Sequence, residues 1–154
     1  MAGEKRAWPG GDAGVYCLVL RVPRASRLKV WNLGACAFRP GWYVYTGSAK
    51  RNLEARLTRH LRRQKRFHWH VDYLREKATV REVWVWPWAV GAECRTNRII
   101  RRLARTEYPC HGFGASDCRC PAHLVSFPSQ PAPPSYRPPF RYVVVGTRLI
   151  WLEG

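Results

Sequence analysis

Three groups of reactive side chains organise the 154 residues. In Tyr43 to Arg66, YVYTGSAKRNLEARLTRHLRRQKR, the cations Lys50, Arg51, Arg56, Arg59, Arg62, Arg63, Lys65 and Arg66 stand against a single acid, Glu54. A short apolar strand, a Gly-Ser turn and then a basic helix predict a surface made to meet phosphate. His68, His70 and Asp72 in FHWHVDYL form a second group. Imidazoles beside a carboxylate can bind metal or relay protons. The simpler reading is structural, with the segment held beside the basic helix or touching DNA backbone. The third group lies in Pro109 to Leu124, PCHGFGASDCRCPAHL, where Cys110, Cys118, Cys120 and His123 could close a tetrahedral zinc site, with Cys94 as a substitute ligand. Cys-x-Cys is tighter than the common Cys-x-x-Cys spacing, so a compact packed loop without metal is the competing reading.

Composition narrows the partners. With 27 Lys and Arg against 10 Asp and Glu, the formal charge of +17 predicts a polyanionic partner, of which nucleic acid is the commonest. No apolar run is long enough to span a bilayer, and Met1 to Gly14 carries no secretory pattern, so the expectation is a cytoplasmic chain with no membrane partner. In that setting the six cysteines read as reduced thiols or metal ligands rather than a disulfide framework. The eight tryptophans could stack bases, but most are expected in the core.

The length suits one domain with a real core. Residues 1–12 read as a loose tail and 13–124 as the working domain, including the Cys/His-rich loop 109–124. Residues 125–139 read as a Pro-rich linker and 140–154 as a hairpin packed on the same domain, turning at Gly146-Thr147. Gly14 to Val22 has Tyr16, Leu18, Leu20 and Val22 on one face and Val15, Cys17 and Val19 on the other, which predicts a strand covered on both sides. Pro23 to Pro40 is a connector with a short strand at Leu28 to Leu33, and a return would lay Trp42 to Thr46 beside the first strand, making Tyr16 and Tyr45 neighbours. Leu53, Leu57 and Leu61 mark the core face of the basic helix, with Arg56, His60 and Arg63 on its flank and Asn52 or Ser48 as cap. A short helix follows around Phe67 to Leu74, then a strand over Val80 to Trp88. A helix over Ala92 to Arg105 carries Glu93, Asn97, Ile100 and Ala104 on one stripe and Arg95, Arg98, Arg102 and Arg105 on another.

In order, Gly14-Val15-Tyr16, Tyr45-Thr46-Gly47, Arg56 in a helix, and Glu93 with Asn97 in a later helix resemble the GIY-YIG nuclease superfamily. YVYTGSA, HWHVDYL and GFGASDCRCPAHL are similar to its Uri branch of small stand-alone endonucleases. Thr46 and Val15 stand where that pattern has Ile, both at packing positions, and the separation of Tyr16 from Tyr45 is long, which bears on the connecting loop. The resemblance covers most of Gly14 to Leu124. It implies an α+β fold with a small central, mainly antiparallel three-stranded sheet flanked by helices, followed here by the C-terminal β-hairpin. It also implies Tyr16 as general base on water, Tyr45 orienting the nucleophile or phosphate, Arg56 clamping the scissile phosphate, and His60 assisting.

Hydrolysis of a phosphodiester requires a deprotonated nucleophile, charge stabilisation at phosphorus and help for the leaving oxygen. Ten scattered acids make a two-metal carboxylate cage hard to build, so Glu93 with one Mg2+ or Mn2+ ion is the economical arrangement. A neighbouring cation is expected to lower the tyrosine's pKa from about 10. The reading is a metal-dependent endonuclease acting on DNA, single-stranded or branched rather than plain duplex, with RNA as another possible partner. Lys50, Arg51, Arg59, Arg63, Arg66, His68, His70 and Asn97 are the candidate nucleic-acid contacts. The alternatives are a non-catalytic DNA- or RNA-binding module using the same basic surface, and a zinc-stabilised RNA-binding or ribosome-associated protein.

Overall fold

The computed structural model describes residues 8, 10–63, 65–104 and 108–152. Most of the tail expected over residues 1–12, and Arg105 of the expected basic stripe, lie outside the described residues. The elements are β1 (Gly14–Val22), β2 (Ser26–Val30), β3 (Gly34–Phe38), β4 (Gly41–Ala49), α1 (Leu53–Leu61), α2 (His70–Leu74), β5 (Thr79–Trp86), α3 (Ala92–Ala104), β6 (Leu124–Phe127), β7 (Phe140–Val145) and β8 (Arg148–Leu152). A 3-10 turn at Trp31–Leu33 joins β2 to β3.

The fold is mixed α+β, but the sheet has six strands in the order β6-β4-β1-β5-β7-β8 rather than the expected three. Every pairing in it is antiparallel. The additions sit at the two edges. The Cys-rich loop ends in β6, which pairs Val125 with Val44, and the C-terminal hairpin adds β7 to β5 through Tyr142 opposite Val83. Each covers an edge that would otherwise expose unpaired backbone groups. The start of the expected linker is therefore strand, and the connector Pro23 to Pro40 holds a complete two-stranded hairpin, β2-β3.

The two-sided apolar pattern of β1 has its cause in this layering. Tyr16, Leu18, Leu20 and Val22 join Leu53, Leu57 and Leu61 of α1, Val71 and Leu74 of α2, and Phe38 of the hairpin. Cys17 and Val19 face the other way, against Trp84, Trp86 and Ile100 of α3. Burying apolar side chains on both faces contributes roughly 25 cal/mol per Å² of apolar surface removed from water.

Of the two expected caps, Asn52 occupies the N-cap position of α1, its carbonyl accepting the Arg56 N–H at 2.9 Å, but it lies in the left-handed region at φ 60° and makes no side-chain capping bond; Ser48 is within β4. The Asp12 carbonyl accepts the Leu53 N–H at 3.0 Å. At the other end the buried Arg75 donates to the carbonyls of His60, at 2.9 Å, and Leu61, at 3.0 Å. A cation satisfying the last carbonyls complements the helix dipole and fixes where α1 stops.

Candidate active site

Tyr16 on β1 and Tyr45 on β4 project to the face covered by α1. Their register is offset by two residues, with Tyr16 opposite Gly47 and Leu18 opposite Tyr45. Gly47 is required by that packing, because a Cβ there would meet the Tyr16 ring and hydroxyl at 2.7 Å. Both tyrosine rings approach His60, with centroids 5.4 Å and 6.2 Å away. The Tyr16 hydroxyl lies 2.8 Å from His60 Nε2.

His60 is thus not on an exposed flank beside Arg56 and Arg63. It is fully buried. Burial, with the nearby Lys65 charge, pushes it down to about 3, so the ring is neutral at physiological pH. The Arg56 charge lies close enough to Tyr16 to favour its phenolate form. The Tyr16 hydroxyl and His60 Nε2 share one hydrogen; with the phenol as donor, Nε2 is the bare acceptor and the imidazole hydrogen sits on Nδ1. Nδ1 itself has no partner among the described residues.

The expected lowering of the Tyr16 pKa by a cation is corrected here. Burial dominates and raises the phenol well above its ordinary 10.0, although Arg56 works in the opposite direction. Tyr45 is raised as well, chiefly by burial and then by the Tyr16 charge. In the free protein both phenols keep their protons.

Arg56 is aimed by two contacts that sequence alone did not signal. One guanidinium nitrogen donates to the Ser48 carbonyl, and the group lies 5.0 Å from the Trp69 ring centroid. Ser48 joins the two faces of the sheet, since its hydroxyl donates to Glu93 Oε1 at 2.8 Å. Glu93, in the first turn of α3, also has Oε2 3.2 Å from His123 Nδ1. Tyr16, Tyr45, Ser48, Arg56, Trp69 and Glu93 all line one pocket of about 280 Å³. That volume is at the small end for ligand sites and suits a phosphate with its adjoining sugar more than an enclosed nucleotide. Trp31, 64% exposed, stands on the pocket wall. It was one tryptophan among eight in the sequence, with nothing to single it out.

The expected nucleic-acid contacts divide. Lys50, Arg51, Arg66 and His68 are exposed, and His68 lines the pocket. Arg59 is held by Asp72, while Arg63 donates to the Arg75 and Glu76 carbonyls and to Thr79. His70 is buried, its Nδ1 accepting the Gly114 N–H at 2.8 Å. Asn97 is not a surface contact at all. Its amide is buried and donates to the Ala122 carbonyl at 2.7 Å, tying α3 to the Cys-rich loop.

That loop holds a cluster of different composition from the one expected. Cys110 is joined to Cys36 in a disulfide, against the expectation of thiols or metal ligands only, because the β2-β3 hairpin brings Cys36 to it, and it is not part of the cluster. Cys94 takes its place. One ligand atom each from Cys94, Cys118, Cys120 and His123 lies within 4.8 Å of the others, an arrangement that could hold a metal ion. His123 Nε2 is 3.4 Å from Cys118 Sγ and 3.8 Å from Cys94 Sγ. Three sulfurs and a nitrogen form a soft donor set, and zinc fits it. Cys94 follows Glu93 directly in α3, so the thiol cluster and the carboxylate pocket are neighbours by covalent connection.

A family model matches residues 15–137. The chain belongs to the family described as domain of unknown function DUF123. The DUF123 region contains Tyr16, Tyr45, Arg56, Glu93 and the whole Cys94–His123 cluster, while the β7-β8 hairpin lies beyond it. No curated protein and no solved structure matches the chain.

Proposed function

We propose that the protein is a metal-dependent endonuclease that hydrolyses DNA phosphodiester bonds in the pocket lined by Tyr16, Tyr45, Arg56 and Glu93. The observation that carries this reading is the convergence of Tyr16, Tyr45, Arg56 and Glu93, from four separate elements, on one pocket next to a basic surface. The resemblance of these residues to the GIY-YIG superfamily supports it. An exposed tryptophan on the pocket wall suits an unpaired base, which favours single-stranded or branched DNA over plain duplex.

The Glu93 carboxylate fits a single Mg2+ or Mn2+ ion. Each of its oxygens has one protein neighbour, leaving lone pairs free, and the side chain is 27% exposed. When bound, such an ion supplies positive charge to the phosphate and its leaving oxygen.

The chain's own residues account for the proton and the geometry. Water attacks phosphorus and gives a proton to the Tyr16 oxygen as the phenol passes its own to His60 Nε2, 2.8 Å away. His60 is neutral and, at about 3, a weak base, so it holds this proton only while the bond to phosphorus forms and then releases it to solvent. The bond from water oxygen to phosphorus forms, the bond to the leaving oxygen breaks, and that oxygen takes a proton from solvent. Arg56, its guanidinium 5.0 Å from the Trp69 ring centroid, holds the non-bridging oxygens with its planar fork.

Incubation with single-stranded, nicked, flapped and branched DNA plus Mg2+ or Mn2+ tests the reading. We expect cleavage that requires the metal, falls about 100-fold or more in Tyr16→Phe, and is abolished in Glu93→Ala. No cutting of any substrate, or undiminished cutting by both variants, would overturn it. Salt-sensitive binding without cleavage would identify a non-catalytic DNA- or RNA-binding module instead.

A further inference from the structure

Two polar centres share one histidine in this protein. His123 is fully buried, with Nε2 turned to the Cys94 and Cys118 sulfurs and Nδ1 turned to Glu93. Nδ1 is also 3.2 Å from the Thr46 carbonyl, one residue along β4 from Tyr45. The His123 backbone is fixed as well, its carbonyl accepting the Thr46 N–H at 2.9 Å and its N–H donating to the Phe113 carbonyl at 2.7 Å. Cys94 and Glu93 are successive residues in the first turn of α3.

We infer that Cys94, Cys118, Cys120 and His123 bind one zinc ion, and that the occupied site positions Glu93 through His123. A metal on Nε2 leaves Nδ1 as the N–H, so it becomes an obligatory donor. Its acceptors are then Glu93 Oε2 and the Thr46 carbonyl, both at 3.2 Å. Both neighbours of Nδ1 are acceptors, so the contact already favours the hydrogen on Nδ1, and a metal on Nε2 excludes the other tautomer altogether. A bond from Cys94 to the same ion anchors the backbone next to Glu93. In return the carboxylate makes the imidazole a better ligand, the arrangement of a carboxylate–histidine–zinc triad. Glu93 is in this sense ligand-bearing for one ion and orienting for the other, and His123 is a positioning residue. The role of Glu93 toward Mg2+ or Mn2+ rests on the proposed nuclease reading; the link from zinc to Glu93 does not.

Coupling of this kind is reciprocal, so it can be read from either side. Metal analysis of the purified full chain should find one zinc per chain. Cobalt replacing it should give the absorption of a tetrahedral thiolate site, and titration of that signal measures affinity. We expect Glu93→Ala to weaken cobalt binding about tenfold and Glu93→Gln, which keeps an acceptor, by less. From the other side, Mn2+ titration followed by electron paramagnetic resonance should show affinity about tenfold lower in Cys120→Ser than in zinc-loaded wild type. Absence of zinc and of the cobalt signal overturns the site. Cobalt affinity unchanged by Glu93→Ala overturns the link, and this arm decides alone if Cys120→Ser does not fold. Cobalt affinity that falls in Glu93→Ala, in a protein that binds no Mn2+ and cuts no DNA, upholds the link while the nuclease reading fails.

Discussion

The groups around Asp72 and around His123 look alike in sequence, each mixing histidine with acidic or thiol side chains, yet they are chemically opposite. The Asp72 carboxylate is completely buried and meets donors on every side: the His68 N–H at 2.7 Å, the Trp69 N–H at 2.9 Å, and both Arg59 terminal nitrogens at 3.1 and 2.9 Å. Lys65 Nζ stands 3.4 Å away. An anion matched in this way asks for nothing further. Around His123, three sulfurs and a ring nitrogen converge within 4.8 Å with no cation among them. Burial, and after it the Cys120 and Cys118 sulfurs, push the Cys94 thiol up to about 12. Proximity of titratable groups is therefore a poor sign of a site, and a surplus of electron-pair donors without a counter-charge is a better one.

Chelation separates the two most widely. Zinc-loaded protein should be more stable than chelated protein by about 4 kcal/mol when free zinc is a thousand times its dissociation constant. Denaturant unfolding with and without chelator measures this. Equal stability would place the His123 group with the Asp72 group, as packing complete in itself.

The difference between these groups was only partly legible in sequence, and the reason is where each partner comes from. His68, Asp72, Arg59 and Lys65 lie close along the chain, so a local brace could be read from FHWHVDYL and the basic helix. Cys36 and Cys94 come from β3 and α3, and only the hairpin and the sheet decide which of them meets Cys110 and which meets Cys118. Local spacing favoured Cys110 for the metal, and the fold gave that place to Cys94. The strands β1, β4 and β5 were readable because burial on both faces leaves continuous apolar runs. The edge strand β6 was not, since its partner β4 is distant; the β7-β8 hairpin was readable from its Gly146-Thr147 turn, but not the pairing of β7 with β5. His60 was readable but misplaced. It lies two turns from Leu53 and one from Leu57, on the leucine face, while its polarity suggested the arginine flank.

Asp72→Asn gives the next effect, about 3 kcal/mol lost, because Arg59 and Lys65 would remain with no buried anion. The sign of the pH dependence follows from the carboxyl. Burial raises its pKa, but Arg59, the Trp69 and His68 N–H groups and Lys65 outweigh this and leave it below 3.8. A lowered folded pKa adds stability that is fully present above the ordinary value of about 3.9 and is lost as the pH falls through the folded one. Wild-type protein should therefore lose stability on acidification below that value more steeply than Asp72→Asn. Parallel acid unfolding curves for the two would show that the carboxylate is not the anion holding this group together. Zinc content should be unchanged in Asp72→Asn, which a single shared polar network would not permit.

Arg59→Lys is the smallest and most specific change. Lysine keeps the charge but cannot offer both terminal nitrogens to Asp72, nor lie as a plane 4.6 Å from the Trp69 ring centroid. Arg59 is partly exposed, with 25% of its side chain accessible, so solvent screens part of the loss and about 1 kcal/mol is expected. A double-mutant cycle with Asp72→Asn apportions it. If the fork on Asp72 supplies most of the energy, Arg59→Lys should cost much less once Asp72 is asparagine. A cost undiminished in that background would move the contribution to Trp69, and through that ring to the orientation of Arg56, which shares it from the pocket side.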